Sequence, residues 1–405
     1  MRFSLATLCL AVSLAVSTIF DGAFFVAGAA HAVESAEEDA EASAARIMHP
    51  RHRAVRNLMR ALKETKNYNM NQGSQDLLDN VVSVNDGTVD GGVIKSYVVL
   101  SRGKKVAEYY RDGQTSTTEN DVFSVQKGFT STYFGMLIDQ GHFQLTEKLE
   151  SIWTPTNAVW NNVTNAALKQ QITIEQLLDS TSGFDDPAFS SPLFDAEGGQ
   201  TLNGALEFLQ PVSSVGEFNY VGFANVLNYA IVERLGVTPQ EWASENFFPF
   251  LAMESGTDYA WDANDEGVNR GRNGLSLTTL DMAKFGQLLL QKGKASRSNQ
   301  LVPEHWVEDI ASSRVPVPAD NALRGSQGLG PDDPLSFGLM YWNIEGLGCY
   351  CAFGASGQYI CVWPESETVA ALTQDFGFGP IQPATSLLFL QTVTDAKFRR
   401  RIRNH

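Results

Sequence analysis

Ser124-Val125-Gln126-Lys127 sets a hydroxyl and an amine three residues apart. On a helix, that spacing puts both side chains on one face. A serine hydroxyl is a weak nucleophile until a neighbouring base accepts its proton. Lysine can be that base when burial or nearby positive charge lowers its pKa. The pattern therefore suits acyl transfer, with the hydroxyl attacking a carbonyl carbon. The tetrapeptide alone is weak, because Ser101-Arg102-Gly103-Lys104 fits it too. That second copy falls on a hairpin turn, where serine and lysine are expected to point into solvent. The plainer reading of Ser124 is a helix cap. Its context goes further: Phe129, Tyr133, Met136 and Leu137 follow at helical spacing, so this helix should be buried on one side. Gly128 leaves room for close approach beside the serine.

The elements around this pair are legible in outline. Val93 to Leu100 is β-rich, Ser101-Arg102-Gly103 is a turn, and Val106 to Tyr110 returns as a hairpin partner. A helix starts near Ser124. Residues 140 to 325 are mostly helical with long loops, and the clearest helices are Glu175 to Ser180, Phe223 to Leu235 and Thr279 to Lys292. Strands return at Ser336 to Asn343, Gly357 to Val362 and Thr368 to Thr373, before a last helix from about Pro383. Strands at both ends around a helical middle predict an α+β domain, with one sheet built from both termini, flanked by helices, and a large mostly helical insertion.

Further blocks occur in a fixed order. The stretch Asp121 to Gly141, with Ser-Val-Gln-Lys followed by Gly-Phe-Thr-Ser-Thr, resembles the active-site helix of the serine β-lactamase-related hydrolases. Ile172 to Gly183 resembles that family's segment ending in Thr-Ser-Gly, and Gly274 to Gly286 its S-x-x-D-hydrophobic-A-x-F-G helix. Gly357-Gln358-Tyr359-Ile360-Cys361-Val362-Trp363-Pro364 resembles its GQ-x-x-x-V-x-P strand. The likeness covers roughly residues 92 to 395. The branch it resembles is the class C β-lactamase-like esterases and amidases, particularly the 6-aminohexanoate-dimer hydrolases. It implies a β-lactamase/DD-peptidase-like fold with an antiparallel sheet. One lobe would span about 90–135 and 330–405, and a helical lobe about 140–325.

The resemblance also implies roles. The family's Y-x-N or Y-x-S element falls on Tyr220-Val221-Gly222, which makes Tyr220 the candidate base beside Lys127. A free tyrosine has a pKa near 10, so it would need Lys127 close by. Gly222 departs from the pattern, since it has no side chain for Lys127 or substrate. The family's K-T-G falls on Ala352-Phe353-Gly354, which keeps only the glycine. The lysine that would hold a β-lactam carboxylate is missing, so an efficient penicillinase or cephalosporinase is not expected. The oxyanion donors implied are the backbone N–H groups of Ser124 and Ala355. Ser356 and Gln358, with Gly222 and Gly354, are pocket candidates. The expected activity is hydrolysis of an ester or amide through an acyl-enzyme on Ser124. A β-lactamase or D-amino-acid peptidase is the alternative, and a catalytically silent penicillin-binding-like protein the second.

Composition bounds these readings. The chain has 405 residues, 43% hydrophobic and only 19% charged, which excludes disorder as its main state. A net charge of -16 argues against a nucleic-acid partner. No cofactor or metal is expected, because no Cys/His metal spacing exists. Of the histidines only His49, His52, His142, His305 and His405 would survive signal removal, and none lies in a matched block, so a Ser-His-Asp triad is not expected. Asn162-Val163-Thr164 is a glycosylation acceptor only in a host that glycosylates. Asp185, Asp186 and Asp195 belong to a loop that could cover the site. Residues 1–32 read as an export signal, with Arg2, an apolar Leu5 to Phe20 and an Ala30-His31-Ala32 cleavage pattern. No membrane span is expected after cleavage, and the mature chain is expected to be periplasmic or secreted. Residues 33–75 form an acidic then basic leader before the hydrolase domain at 76–405. Cys9 leaves with the signal. Among Cys349, Cys351 and Cys361, either of the first two can bridge to the third, or all three can remain buried thiols.

Overall fold

The computed structural model describes residues 93–185, 201–207, 210–211, 214–220, 224–321, 332–375 and 384–395, with Leu78 and Arg324. The export signal, the leader, Asp186, Asp195, Gly222 and the arginines at 399–403 lie outside the described residues. Two apolar strand segments far apart in the chain pair within the main sheet, one strand in from its edge. Strand β1 (Val93–Ser101) is joined to β2 (Lys104–Tyr110) by Arg102 and Gly103, both left-handed at φ 52° and 72°. Ser101 closes β1 opposite Lys104 and is buried rather than solvent-facing, so this copy of S-x-x-K has its two groups in different surroundings.

Helix α1 (Gln126–Asp139) follows, then α2 (Ile174–Asp179), α3 (Ala224–Leu235) and α4 (Thr279–Leu290). The remaining strands of the main sheet are β3 (Val315–Pro316), β4 (Leu335–Gly338), β5 (Tyr341–Ile344), β6 (Cys349–Gly354), β7 (Gln358–Trp363) and β8 (Thr368–Asp375). Helix α5 (Ala384–Asp395) ends the described chain. The eight strands run in the order β3-β4-β5-β6-β7-β8-β1-β2, and each pairing is antiparallel. The pairing of β1 with β8 joins the two ends of the chain, as the sequence predicts.

The structure corrects two further local expectations. Ser336 to Asn343 is not one strand but a hairpin, turned by Leu339 and Met340 at φ 46° and 65°. Bulky residues rarely turn this way. Here the C-terminal end of α2 holds them: Leu339 N–H donates to Asp179 Oδ1 and Met340 N–H to Leu178 O, both at 2.8 Å. Helix α1 is buried all round from Gln126 to Leu137, not on one side. Sheet residues cover one flank, with Tyr341 and Ala352 against Gly128. Trp306 lies over Gly135, where a Cβ would stand only 2.4 Å from its ring. Phe129 stacks on Phe285 of α4 at 3.8 Å between centroids. Cys351 and Cys361 face each other across β6 and β7 and form a disulfide, and Cys349 stays a buried thiol with its Sγ 3.7 Å from that of Cys351.

Candidate active site

Ser124 sits on a 3-10 turn, Phe123–Val125, that runs directly into α1. The residue before it, Phe123, is left-handed at φ 47°. A bulky side chain in that region costs on the order of 1 kcal/mol or more, and such strain persists only where the surroundings fix it. Two bonds do so: Phe123 N–H donates to Asp121 Oδ1 at 2.7 Å, and Val122 N–H to Leu275 O at 3.0 Å. The turn lifts Ser124 to a half-buried position at the entrance of the helix, while Lys127, one turn on, is 2% exposed.

Lys127 Nζ lies 2.7 Å from Ser124 Oγ. Burial holds the Lys127 ammonium well below the usual lysine range, and the nearby charge of Arg272 pushes the same way. Tyr220 completes the group. Its ring centroid is 5.0 Å from Lys127 Nζ, and its hydroxyl hydrogen-bonds Ser124. Desolvation pushes the Tyr220 phenol up to about 12, against the smaller opposing pulls of Ser124 and Arg272. The two candidate bases are thus driven apart: the amine is favoured in its neutral form, and so is the phenol.

An aromatic wall positions Tyr220. Phe337 meets its ring edge-on at 5.7 Å and Trp342 lies at 5.4 Å. Phe218 packs on both, and Phe353 stacks on Trp342 at 6.1 Å. The Leu339–Met340 turn brings Phe337 and Trp342 side by side, so the hairpin that sequence reading missed helps seat the tyrosine.

The end of β6 supplies the opposite side. Gly354 packs so closely on the Ser124 turn that a Cβ there would lie 2.3 Å from Val122 O and 3.2 Å from Val125 N. Only glycine allows the approach. Ala355 follows as an exposed residue, and Ser356 is half-buried and left-handed at φ 59°. Gln358 is 3% exposed; its Nε2 donates to Gln374 O at 2.7 Å and to Ser356 O at 3.2 Å, and its Oε1 accepts from Gln374 N–H. Its amide braces the turn that carries Ala355. Ala352 is buried against Gly128 and Tyr341. Ser124, Lys127, Tyr220 and the Gly354–Ala355 turn are therefore brought together, whereas Gly222 lies outside the described residues. His142 follows the far end of α1, about 20 Å from Ser124 at 1.5 Å rise per residue.

Sequence reading missed Arg272. The only signal was the pair Arg270 and Arg272 just ahead of the block beginning at Gly274. Among the described residues no group of His, Cys, Asp and Glu could hold a metal ion, and no helix is long and apolar enough to cross a membrane. The arrangement joins a hydroxyl, a deprotonatable amine and a phenol, with a backbone turn opposite them.

Comparison with known proteins agrees with this fold. The family model described as Beta-lactamase matches residues 88–385. A 6-aminohexanoate-dimer hydrolase of Paenarthrobacter ureafaciens is 24% identical over 293 residues, 68% of this chain and 70% of its own. EstCE1, a hydrolase with promiscuous acyltransferase activity, superposes with a TM-score of 0.63 at 14% identity, over 81% of this chain and 99% of its own. The octameric penicillin-binding protein homologue of Pyrococcus abyssi superposes with a TM-score of 0.57 at 17% identity, over 80% and 76% of the two chains. At these identities the superpositions establish the fold.

Proposed function

Since the chain belongs to the beta-lactamase family, we propose that it is a serine hydrolase cleaving an ester or amide through an acyl-enzyme on Ser124. The observation that carries this reading is Lys127: 2% exposed, disfavoured as a cation, and 2.7 Å from the Ser124 hydroxyl. In this reading the neutral amine takes the Ser124 proton as Oγ attacks the carbonyl carbon. Ser124 N–H and Ala355 N–H hold the oxygen that becomes negative. Tyr220, hydrogen-bonded to Ser124 beside Lys127, passes the proton to the departing alcohol or amine. Water then attacks the acyl carbon, with Lys127 again accepting a proton, and Ser124 is released.

Esters and linear amides are favoured over β-lactams as substrates. The family's lysine position is Ala352, buried against Gly128 and Tyr341, so no ammonium stands there for a substrate carboxylate. The same alanine supports a second reading, a silent relative that binds without turnover. Treatment with a fluorophosphonate and intact-mass analysis separates the two. A single adduct on Ser124 supports the hydrolase, and no adduct on folded protein supports the binder. Ser124→Ala should abolish p-nitrophenyl ester hydrolysis, and unchanged activity would end the proposal. Residues 1–32 support export, to be checked by sequencing the N-terminus of the secreted or periplasmic chain, expected at Val33.

A further inference from the structure

Asp179 ends α2 as a buried carboxylate, 6% exposed. A negative charge is locally disfavoured there, because the C-terminus of a helix already carries partial negative charge. Donors from much later in the chain hold it in place. Arg314 Nε donates to Asp179 Oδ1 at 2.9 Å, and Arg314 Nη2 to Oδ2 at 2.8 Å. Leu339 N–H donates to Oδ1, also at 2.8 Å.

Both partners bear on one aromatic ring. Leu339 begins the left-handed turn between β4 and β5, and that hairpin sets Phe337 opposite Trp342, with ring centroids 4.9 Å apart. Arg314 directly precedes β3, whose Val315 pairs with Phe337 from the neighbouring strand. Its stem packs on Gly338, where a Cβ would lie 2.5 Å from Arg314 Cδ. One carboxylate therefore fixes Phe337 through its own hairpin and through the strand beside it.

The same end of α2 holds the segment that carries Tyr220. Ser180, left-handed at φ 55°, turns its carbonyl to accept Asn219 N–H at 2.8 Å. Thr181 O accepts Gly216 N–H at 2.8 Å. These backbone bonds fix where the tyrosine begins, and Asp179 fixes the wall of Phe337 and Trp342 against which its ring rests. The ion pair alone does not require Asp179, since Arg314 Nη2 also reaches the half-exposed Glu175 at 2.6 Å. The turn does require an acceptor: Leu339 is fully buried, and a buried backbone N–H must be paired.

We infer that Asp179 is a positioning residue, which by holding the Leu339–Met340 turn seats the aromatic wall that aims the Tyr220 hydroxyl at the leaving group. The inference rests on the proposed role of Tyr220 as donor of the leaving group's proton.

The test is kcat/KM of the full chain on aryl acetates running from p-nitrophenyl to p-methoxyphenyl. The more basic the departing phenol, the more its release depends on a donated proton. Y220F sets the reference, with a loss that grows along the series. D179A should reproduce that trend, with a loss about tenfold greater for p-methoxyphenyl than for p-nitrophenyl acetate. E175A, which removes only the outer partner of Arg314, should keep the parent trend. Where D179A does not fold, D179L/R314M removes both charges together and carries the comparison. A purely structural role would lower every ester by the same factor. That result in folded D179A or D179L/R314M overturns the inference, as does a trend in E175A equal to that of D179A. A parent trend in Y220F, or a parent chain that cleaves none of these esters, refutes instead the reading on which the inference rests.

Discussion

Ala355→Pro tests the oxyanion arrangement with one atom. The mutation deletes the N–H of residue 355, and the structure shows why the backbone should accept it. Gly354 is extended at φ -124° and ψ 154°, the region that a residue before proline prefers. Ala355 is the first residue of the short 3-10 turn Ala355–Gly357, a position where proline is tolerated. Its Cβ is on an exposed residue, so most of the ring meets solvent, while Cδ takes the place of the N–H hydrogen and faces the proposed oxyanion position. Removing one of two oxyanion donors costs about 10²- to 10³-fold in kcat, or about 2.7–4 kcal/mol. The Ser124 N–H would remain, so activity should fall to that level rather than to zero. The assay is steady-state hydrolysis of a p-nitrophenyl ester, with Ala355→Ser, which keeps the N–H, expected within about threefold of the parent. A folded Ala355→Pro protein that keeps a third or more of the parent kcat would refute the assignment of this N–H.

Gly354→Ala should act on the same turn by steric means. Its Cβ would stand 2.3 Å from Val122 O, about 1 Å inside normal contact, so β6 must shift from the nucleophile and kcat should drop about 10²-fold; unchanged kcat in folded protein would contradict this. Lys127→Met should abolish hydrolysis yet stabilise the fold at neutral pH by about 1–2 kcal/mol. In the folded chain Lys127 gives up its proton well below the ordinary lysine value, so between those two pH values the unfolded chain binds the extra proton. The parent therefore loses stability as pH falls through that window. Thermal unfolding should show the variant's advantage shrinking as pH approaches about 10; an advantage that does not shrink would count against a neutral Lys127. Replacing both Cys351 and Cys361 by alanine opens a bridge between residues 10 apart and should cost about 2–3 kcal/mol in urea unfolding. A midpoint that does not move would show that the bridge contributes nothing.

Much of this was legible in the sequence, and what was legible shares a cause. Ser124, Lys127 and the hairpin β1–β2 are fixed by local spacing, where period and turn chemistry act over a few residues. The same logic failed at Leu339–Met340, because neither residue favours a left-handed turn. What holds them is Asp179 and the Leu178 carbonyl, some 160 residues away in the chain. Periodicity gives α1 one-sided burial because it reports one apolar face. It cannot report Tyr341, Ala352 and Trp306 arriving from later segments to cover the rest. The cysteines were legible as a cluster near the site's edge, but the choice of Cys351 over Cys349 depends on register, which sets Cys351 directly opposite Cys361.

The same distinction governs the proposed chemistry. The proposed nucleophile and its amine come from a 3-10 turn and the first turn of α1, so their proximity is a property of four consecutive residues. Their protonation is not. Lys127 is kept from charging by α1's burial on every side and by Arg272, which a loop about 145 residues later delivers through Gln126 and Thr130. Gln126 is therefore the residue that couples the two levels. It lies within the motif as an unspecified position, and its amide binds the loop that carries the second cation. In this reading the motif supplies the reacting atoms, and the residue between them ties their helix to a loop from a distant part of the chain.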